Sequence, residues 1–188
     1  MRKDCVLPLC VGIAALVLAT AVPASAECRL EKKLKLAPGG SFVLDADDGS
    51  VSVTGMPEAG ATVVITSNRN AVEEYFSFGF DESAGMVRVT GRRKQHLSWR
   101  NNLWIHYEVP MPAQTRLEIR TADGNINTAG VRSDVRLDTG DGNIEVSGVA
   151  GKLTAHSGDG NISLREVSGG ADLQTNDGRL KSPLWMEP

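Results

Sequence analysis

The sequence predicts an all-β, single-domain β-solenoid, β-helix-like in its coils, on three observations. The tetrad Asp-Gly-Asn-Ile recurs at 123–126, 141–144 and 159–162, and a worn copy, Asp177-Gly178-Arg179-Leu180, follows at the same interval of eighteen residues. Aliphatic residues fall into columns on that period and alternate with polar ones, as half-buried strands require. The turn chemistry is the same in each copy, and a fixed period means stacked copies of one unit.

Residues 1–26 read as an export signal. Arg2 and Lys3 give a positive start, 11–22 is almost wholly apolar, and Ala24-Ser25-Ala26 offers a small-residue cleavage site. The apolar run is short of the ~20 residues that a membrane span needs. The domain is then 27–188, with an irregular β cap over 27–120 and regular repeats over 121–188, in the periplasm or at the cell surface of a bacterium. Removing Arg2, Lys3 and Asp4 takes the net charge from −3 to about −4, which suggests no nucleic-acid partner. Cys5 and Cys10 leave with the signal, so Cys28 has no internal disulfide partner and is a free thiol or an intermolecular link.

In the first half, Asp48-Gly49-Ser50-Val51-Ser52-Val53-Thr54-Gly55 reads nearly position for position as Asp141 to Gly148, a degenerate copy of the repeat. Strand-like stretches follow at 62–66, 86–90 and 103–109, separated by Pro57 to Gly60, by a connecting segment over 71–80 and by a basic loop. Pro110 and Pro112 punctuate the approach to the regular array. The expectation is one continuous domain whose first half caps one end of the stack.

In the repeats, one column holds Ile126, Ile144, Ile162 and Leu180, and the next holds Thr128, Val146, Leu164 and Ser182. Val131, Val149 and Val167 form a third, Val135, Leu153 and Ala171 a fourth, and Leu137, Ala155 and Leu173 a fifth. Each copy therefore carries two short strands. Hairpins would not place like columns on like columns, whereas a solenoid stacks equivalent residues about 4.8 Å apart. Each coil buries its columns against its neighbours at roughly 25 cal/mol per Å², so no copy is stable alone.

The turn ladder of Asp123, Gly124, Asp141, Gly142, Asp159, Gly160, Asp177 and Gly178 has a structural explanation. The glycines are expected at positive φ, with each aspartate accepting hydrogen bonds from the amides of its own turn. The alternative is calcium held by stacked carboxylates. Carboxylates ~4.8 Å apart in water repel by roughly 0.9 kcal/mol, while a hydrogen bond to a charged acceptor contributes ~1.5–3 kcal/mol, so the turns tolerate one another without a metal. No cofactor is therefore expected.

The patch with recognition chemistry is the basic loop Arg92-Arg93-Lys94, followed by His96, Trp99, Arg100 and Trp104. Its cations and indoles suit an acidic glycan or a phosphate-bearing envelope polymer. Replacing Arg92, Arg93 and Lys94 by serine is expected to abolish retention on envelope material with an unchanged melting curve. The bland reading is an exposed connection with Trp104 packing the cap. Catalysis is not expected: His96, His106 and His156 show no metal spacing, and no serine or cysteine lies in a nucleophile motif.

Taken together, Pro38-Gly39-Gly40 before Leu44-Asp45-Ala46, the Asp48 to Gly55 copy, Tyr107-Glu108-Val109-Pro110 and the Thr139-Gly140-Asp141-Gly142-Asn143 type of repeat carry a resemblance. The chain resembles the bacterial adhesin-like family of β-strand-repeat domains of unknown function, of the auto-transporter-adhesin-head type. The resemblance covers essentially all of the domain and implies an exported β-solenoid with an adhesin or envelope role and no catalytic residues. The function expected is a non-catalytic surface that contacts an envelope protein or glycan. The alternatives are a regulatory or scaffold protein reporting envelope stress to a membrane partner, and a polysaccharide-active β-helix. Pro183-Leu184-Trp185 is expected to plug the last coil; a poor plug would permit self-association through that end.

Overall fold

The computed structural model describes residues 28–69, 72–94 and 103–182. The expected export signal, His96, Trp99, Arg100 and the Pro183-Leu184-Trp185 plug lie outside the described residues. The strands are β1 (Cys28–Leu34), β2 (Ser41–Asp48), β3 (Ser50–Met56), β4 (Ala61–Ser67), β5 (Phe76–Ser83), β6 (Met86–Arg93), β7 (Ile105–Pro112) and β8 (Arg116–Asp123). They continue as β9 (Ile126–Ala129), β10 (Val135–Thr139), β11 (Ile144–Ala150), β12 (Leu153–Ser157), β13 (Ile162–Ser168), β14 (Ala171–Thr175) and β15 (Leu180–Lys181), with one helical turn, α1 (Val72–Tyr75), before β5.

These strands form two sheets. The first has the order β1-β4-β7-β3-β9-β11-β13-β15, and the second β14-β12-β10-β8-β2-β6-β5. Consecutive strands of the repeats alternate between the sheets, so each pair such as β10–β11 is one solenoid-like level. Within a sheet the repeat strands pair parallel with a shift of eighteen residues: Ile126, Ile144, Ile162 and Leu180 stand in one file, and Leu137, Ala155 and Leu173 in another. The period thus converts directly into register. A one-residue slip would turn every aliphatic side chain to the opposite face.

The core lies between the sheets. Ile126, Ile144, Ile162, Val149, Leu153 and Leu137 are all essentially excluded from solvent. The degenerate first copy joins the same files, since Val51 pairs with Ile126 and Val53 with Thr128, while Phe42 and Leu44 of β2 pair with Leu117 and Ile119 of β8. The eighteen-residue register already runs through β8, where Leu117 stands beside Val135.

The first half departs from the expected layout in two ways. Segment 71–80, read as a connection, holds α1 and the first part of β5, because Phe76, Phe78 and Phe80 alternate toward the core as a strand does. The spatial order is also not the chain order. The β6–β7 level lies outside the β2–β3 level, so the chain after β7 passes across β3 before β8 settles on β2. Residues 113–115 make that crossing, held by Ala113 N–H donating to the Met56 carbonyl and Arg116 N–H to the Gly40 carbonyl. At the outer end β1, β4 and β5 add antiparallel, which ends the parallel array.

Candidate binding surface

The expected basic loop is part of a strand. β6 runs through Arg92 and Arg93, and both side chains are held by carboxylates of the neighbouring β2. Arg92 donates to Asp45 and Asp47, with Nη1 lying 3.1 Å from one and 2.8 Å from the other. Arg93 pairs with Asp48 and lies over the Phe76 ring, 5.8 Å from its centroid. Lys94 Nζ donates to the Glu73 carbonyl, and Trp104, 44% exposed, donates its backbone N–H to Asn68 Oδ1 at 3.1 Å. The signal for this arrangement was present as Asp45, Asp47 and Asp48 on one strand, but β2 and β6 are far apart in the chain.

The pairing leaves electrostatic marks. The hydrogen bonds that Arg92 donates, to Asp45 first and then to Asp47, raise its already high pKa. Burial raises the Asp48 carboxyl above the usual carboxylate range despite the opposing pull of Arg93, and the charge of Asp123, its register partner, adds to the rise. Beneath them the Tyr107 phenol is fully buried, and desolvation, followed by the negative charges of Asp48 and Asp47, moves it far above its ordinary range. The cluster is a fixed strand-to-strand clasp, with its cations already engaged.

The turn ladder is built differently from its expectation. Asp123, Asp141, Asp159 and Asp177 are exposed, and among the described residues their carboxylates take no turn amide. The asparagines do that work instead. Asn143 N–H donates to Asn125 Oδ1, Asn161 N–H to Asn143 Oδ1 and Arg179 N–H to Asn161 Oδ1, each at 2.9 or 3.0 Å. A second ladder lies further inside: Thr139 Oγ1 donates to the Gly124 carbonyl, Ser157 Oγ to Gly142 and, at the half-buried last level, Thr175 Oγ1 to Gly160. The outward asparagines pair level with level because their spacing matches the strand separation.

Positive φ is not what these glycines share. Gly49 of the degenerate copy has φ +117° and Gly124 has φ +159°, but Gly142, Gly160 and Gly178 do not adopt positive φ. They are glycine because the levels touch there: a Cβ on Gly142 would overlap the Gly124 carbonyl oxygen, and one on Gly160 that of Gly142. Among the described residues, no three or more His, Cys, Asp or Glu side chains are grouped to hold a metal ion.

A shallow polar groove runs along the outer face of the first sheet. Its wall is the amide ladder Asn125, Asn143 and Asn161, and its floor carries Glu145, Ser163 and Arg165, with Lys181 at the far end. These residues occupy the outward alternation of β11, β13 and β15, opposite to the aliphatic files. Sequence reading gave them no role beyond alternating with the aliphatic columns, although the same register that stacks isoleucines must also stack Asn127, Glu145 and Ser163. The groove holds hydrogen-bond donors, acceptors and both signs of charge over successive levels. That is chemistry for holding an extended polar ligand, and it offers no nucleophile–base pair.

Comparisons with known proteins agree with this architecture. No curated protein matches the chain. A solved structure of a provisionally assigned cell adhesion protein from Clostridium sporogenes aligns with 82% of this chain and 98% of its own, at 10% identity and TM-score 0.52, which shows a shared fold. A provisionally assigned adhesin from Bacteroides fragilis aligns with 86% of this chain and 99% of its own, at 11% identity and TM-score 0.37. A provisionally assigned lipid binding protein from Parabacteroides distasonis covers 83% and 97%, at 9% identity and TM-score 0.28. The family model described as Toastrack DUF4097 matches residues 34–186, and the chain belongs to that family.

Proposed function

We propose that this chain is an exported, non-catalytic domain whose levels close into a β-solenoid and present the outer face of the first sheet as a binding surface in the bacterial cell envelope. The observation that carries the reading is the polar groove along Asn125, Asn143 and Asn161, because it repeats an asparagine side chain at three successive levels. An extended glycan or a peptide strand of an envelope protein meets such a unit several times, and each contact adds to the last. The export signal read at residues 1–26 supports the compartment, and no described helix is long and apolar enough to cross a membrane.

The segment Arg92, Arg93 and Lys94, with Trp99, Arg100 and Trp104 following it in the sequence, is the second candidate for binding. Its support is the exposed Trp104 side chain. One experiment separates the two. Retention of the purified chain on cell-envelope material is measured for wild type, for Glu145→Ala with Arg165→Ala and Lys181→Ala, and for Arg92→Ser with Arg93→Ser and Lys94→Ser. Loss in the first triple variant alone assigns the groove, and loss in the second alone assigns the segment. Full retention in both sinks the reading. In-cell cross-linking then names the partner; a membrane protein would make the domain a reporter of envelope stress.

A further inference from the structure

We propose that the last level, β14 with β15, is a docking surface for a second copy of this chain, the two meeting tail to tail about a two-fold axis. The inference holds whichever ligand the groove takes.

The buried files open at this level. Ile126, Ile144 and Ile162 are sealed, yet Leu180 at the end of the same file is 51% exposed. Ala171 and Leu173 end their files exposed and half-exposed. β14 and β15 are also the terminal strands of their sheets among the described residues, so one row of backbone donors and acceptors on each points away from the stack. An edge of this kind pairs readily with another chain.

Charge selects which chain and in which orientation. A head-to-tail stack that continued the first sheet would lay β15, with Lys181 and the preceding Arg179 outward, on the β1 edge, where Arg29, Lys32 and Lys33 outnumber Glu31 and Glu31 is already paired with Arg29. The amide ladder also stops here, since Arg179 takes the oxygen of Asn161 and offers no side-chain oxygen to a following level. Tail-to-tail contact removes both obstacles. β14 and β15 are joined by the tight turn 176–179 and run back on one another in opposite sheets. A two-fold axis along the strands and between the sheets therefore lays β15 antiparallel on the β14 of the second copy. Leu180 then meets the file of Ala171 and Leu173, and Lys181 and Arg179 face the strand of Asp172, with Asp177 just beyond it. The contact is self-complementary and closes at two copies.

The chain purified after export is examined by sedimentation over roughly a hundredfold concentration range. A monomer–dimer equilibrium is expected. Leu180→Glu should leave a monomer, and Lys181→Asp or Asp172→Lys alone should weaken association about tenfold or more through like charges in opposed strands. The decisive sample mixes the Lys181→Asp and Asp172→Lys variants, because each contact between unlike copies again joins opposite charges. Recovery of the dimer in that mixture supports the arrangement. A monomer at every concentration overturns it, as does an open-ended series of oligomers or a dimer indifferent to the charge reversals. The circular dichroism of each variant controls for folding, and these positions are exposed enough for the stack beneath to remain intact.

Discussion

The Asn143 side chain sits one level above that of Asn125, and the Asn125 oxygen accepts both its backbone N–H at 2.9 Å and its side-chain amide at 3.3 Å. Asn143 repeats the relation with Asn161, so it is acceptor upward and donor downward. Asn143→Ala should therefore destabilise the chain by about 1–2 kcal/mol, since a typical internal hydrogen bond contributes ~1 kcal/mol and the side chain takes part in more than one. Asn125→Ala removes acceptance from one neighbour only and should cost less. Urea unfolding of both variants checks the order; equal stability of the two with wild type would show that the ladder is ornamental to the fold.

Close approach and positive φ make opposite demands of two glycines. Gly142 has ordinary φ but no room, since a Cβ would overlap the Gly124 oxygen, whereas Gly85 has φ +76° and open space around it. Gly142→Ala must push two levels apart and should cost about 3 kcal/mol or more. Gly85→Ala should cost about 1–2 kcal/mol, the penalty of a left-handed residue with a side chain. Thermal melts of the two variants at one pH decide it, and the ranking is the content of the prediction.

The same glycines explain what could be read from the sequence. The eighteen-residue period gave the levels, the inward files and the degenerate first copy, because Ile126, Ile144 and Ile162 stack only in that register. The period could not say why Gly142 is glycine: the contact is with Gly124 on the neighbouring level, and a turn considered by itself suggests φ. The clasp between Arg92 and Asp45 was hidden for a related reason, since it joins strands whose adjacency has no repeat to announce it. The placement of β2–β3 between β6–β7 and β8–β9 follows from pairing energies among nonconsecutive strands, which local pattern does not contain. The groove lay in the outward columns, where Glu145 and Ser163 are simply the polar positions between the aliphatic ones. The adhesin-like resemblance, by contrast, agrees with membership of the Toastrack DUF4097 family.

Acid should favour the fold through Asp48. Its carboxyl is raised by burial more than Arg93 lowers it, so the folded chain binds this proton more tightly than the unfolded chain. Stability from this group is then greatest in acid and falls as pH rises through the raised folded-state value. The difference in unfolding free energy between wild type and Asp48→Asn, followed from about pH 4 to pH 7, should move against wild type as pH rises. A difference that moves the other way would mean that pairing with Arg93 outweighs burial.

Replacing Arg92, Arg93 and Lys94 by serine should lower the melting temperature, contrary to the expectation for a free loop. Each half-exposed ion pair contributes about 0–1 kcal/mol, but the substitution also leaves Asp45, Asp47 and Asp48 adjacent without the two guanidinium groups that hold them. High salt should shrink the loss by screening that repulsion. Melting wild type and variant at low and high ionic strength measures both effects, and a variant as stable as wild type at low salt would show that the clasp contributes nothing.

Gly91 and Tyr107 are coupled across the core. A Cβ at Gly91 would overlap the Tyr107 hydroxyl, which is fully buried and has no protein hydrogen-bond partner among the described residues. Tyr107→Phe removes a desolvated polar atom and should be neutral or stabilising by up to about 1 kcal/mol. Gly91→Ala alone should destabilise by about 1–3 kcal/mol through overpacking. The overlap is with the hydroxyl first and the ring carbon only weakly, so in the double variant the alanine should cost much less than it does beside tyrosine. A double-mutant cycle in urea reads the coupling as about 1 kcal/mol or more, favouring the pair. Strict additivity would place the hydroxyl away from Gly91 and leave the glycine to be explained by its strand position alone.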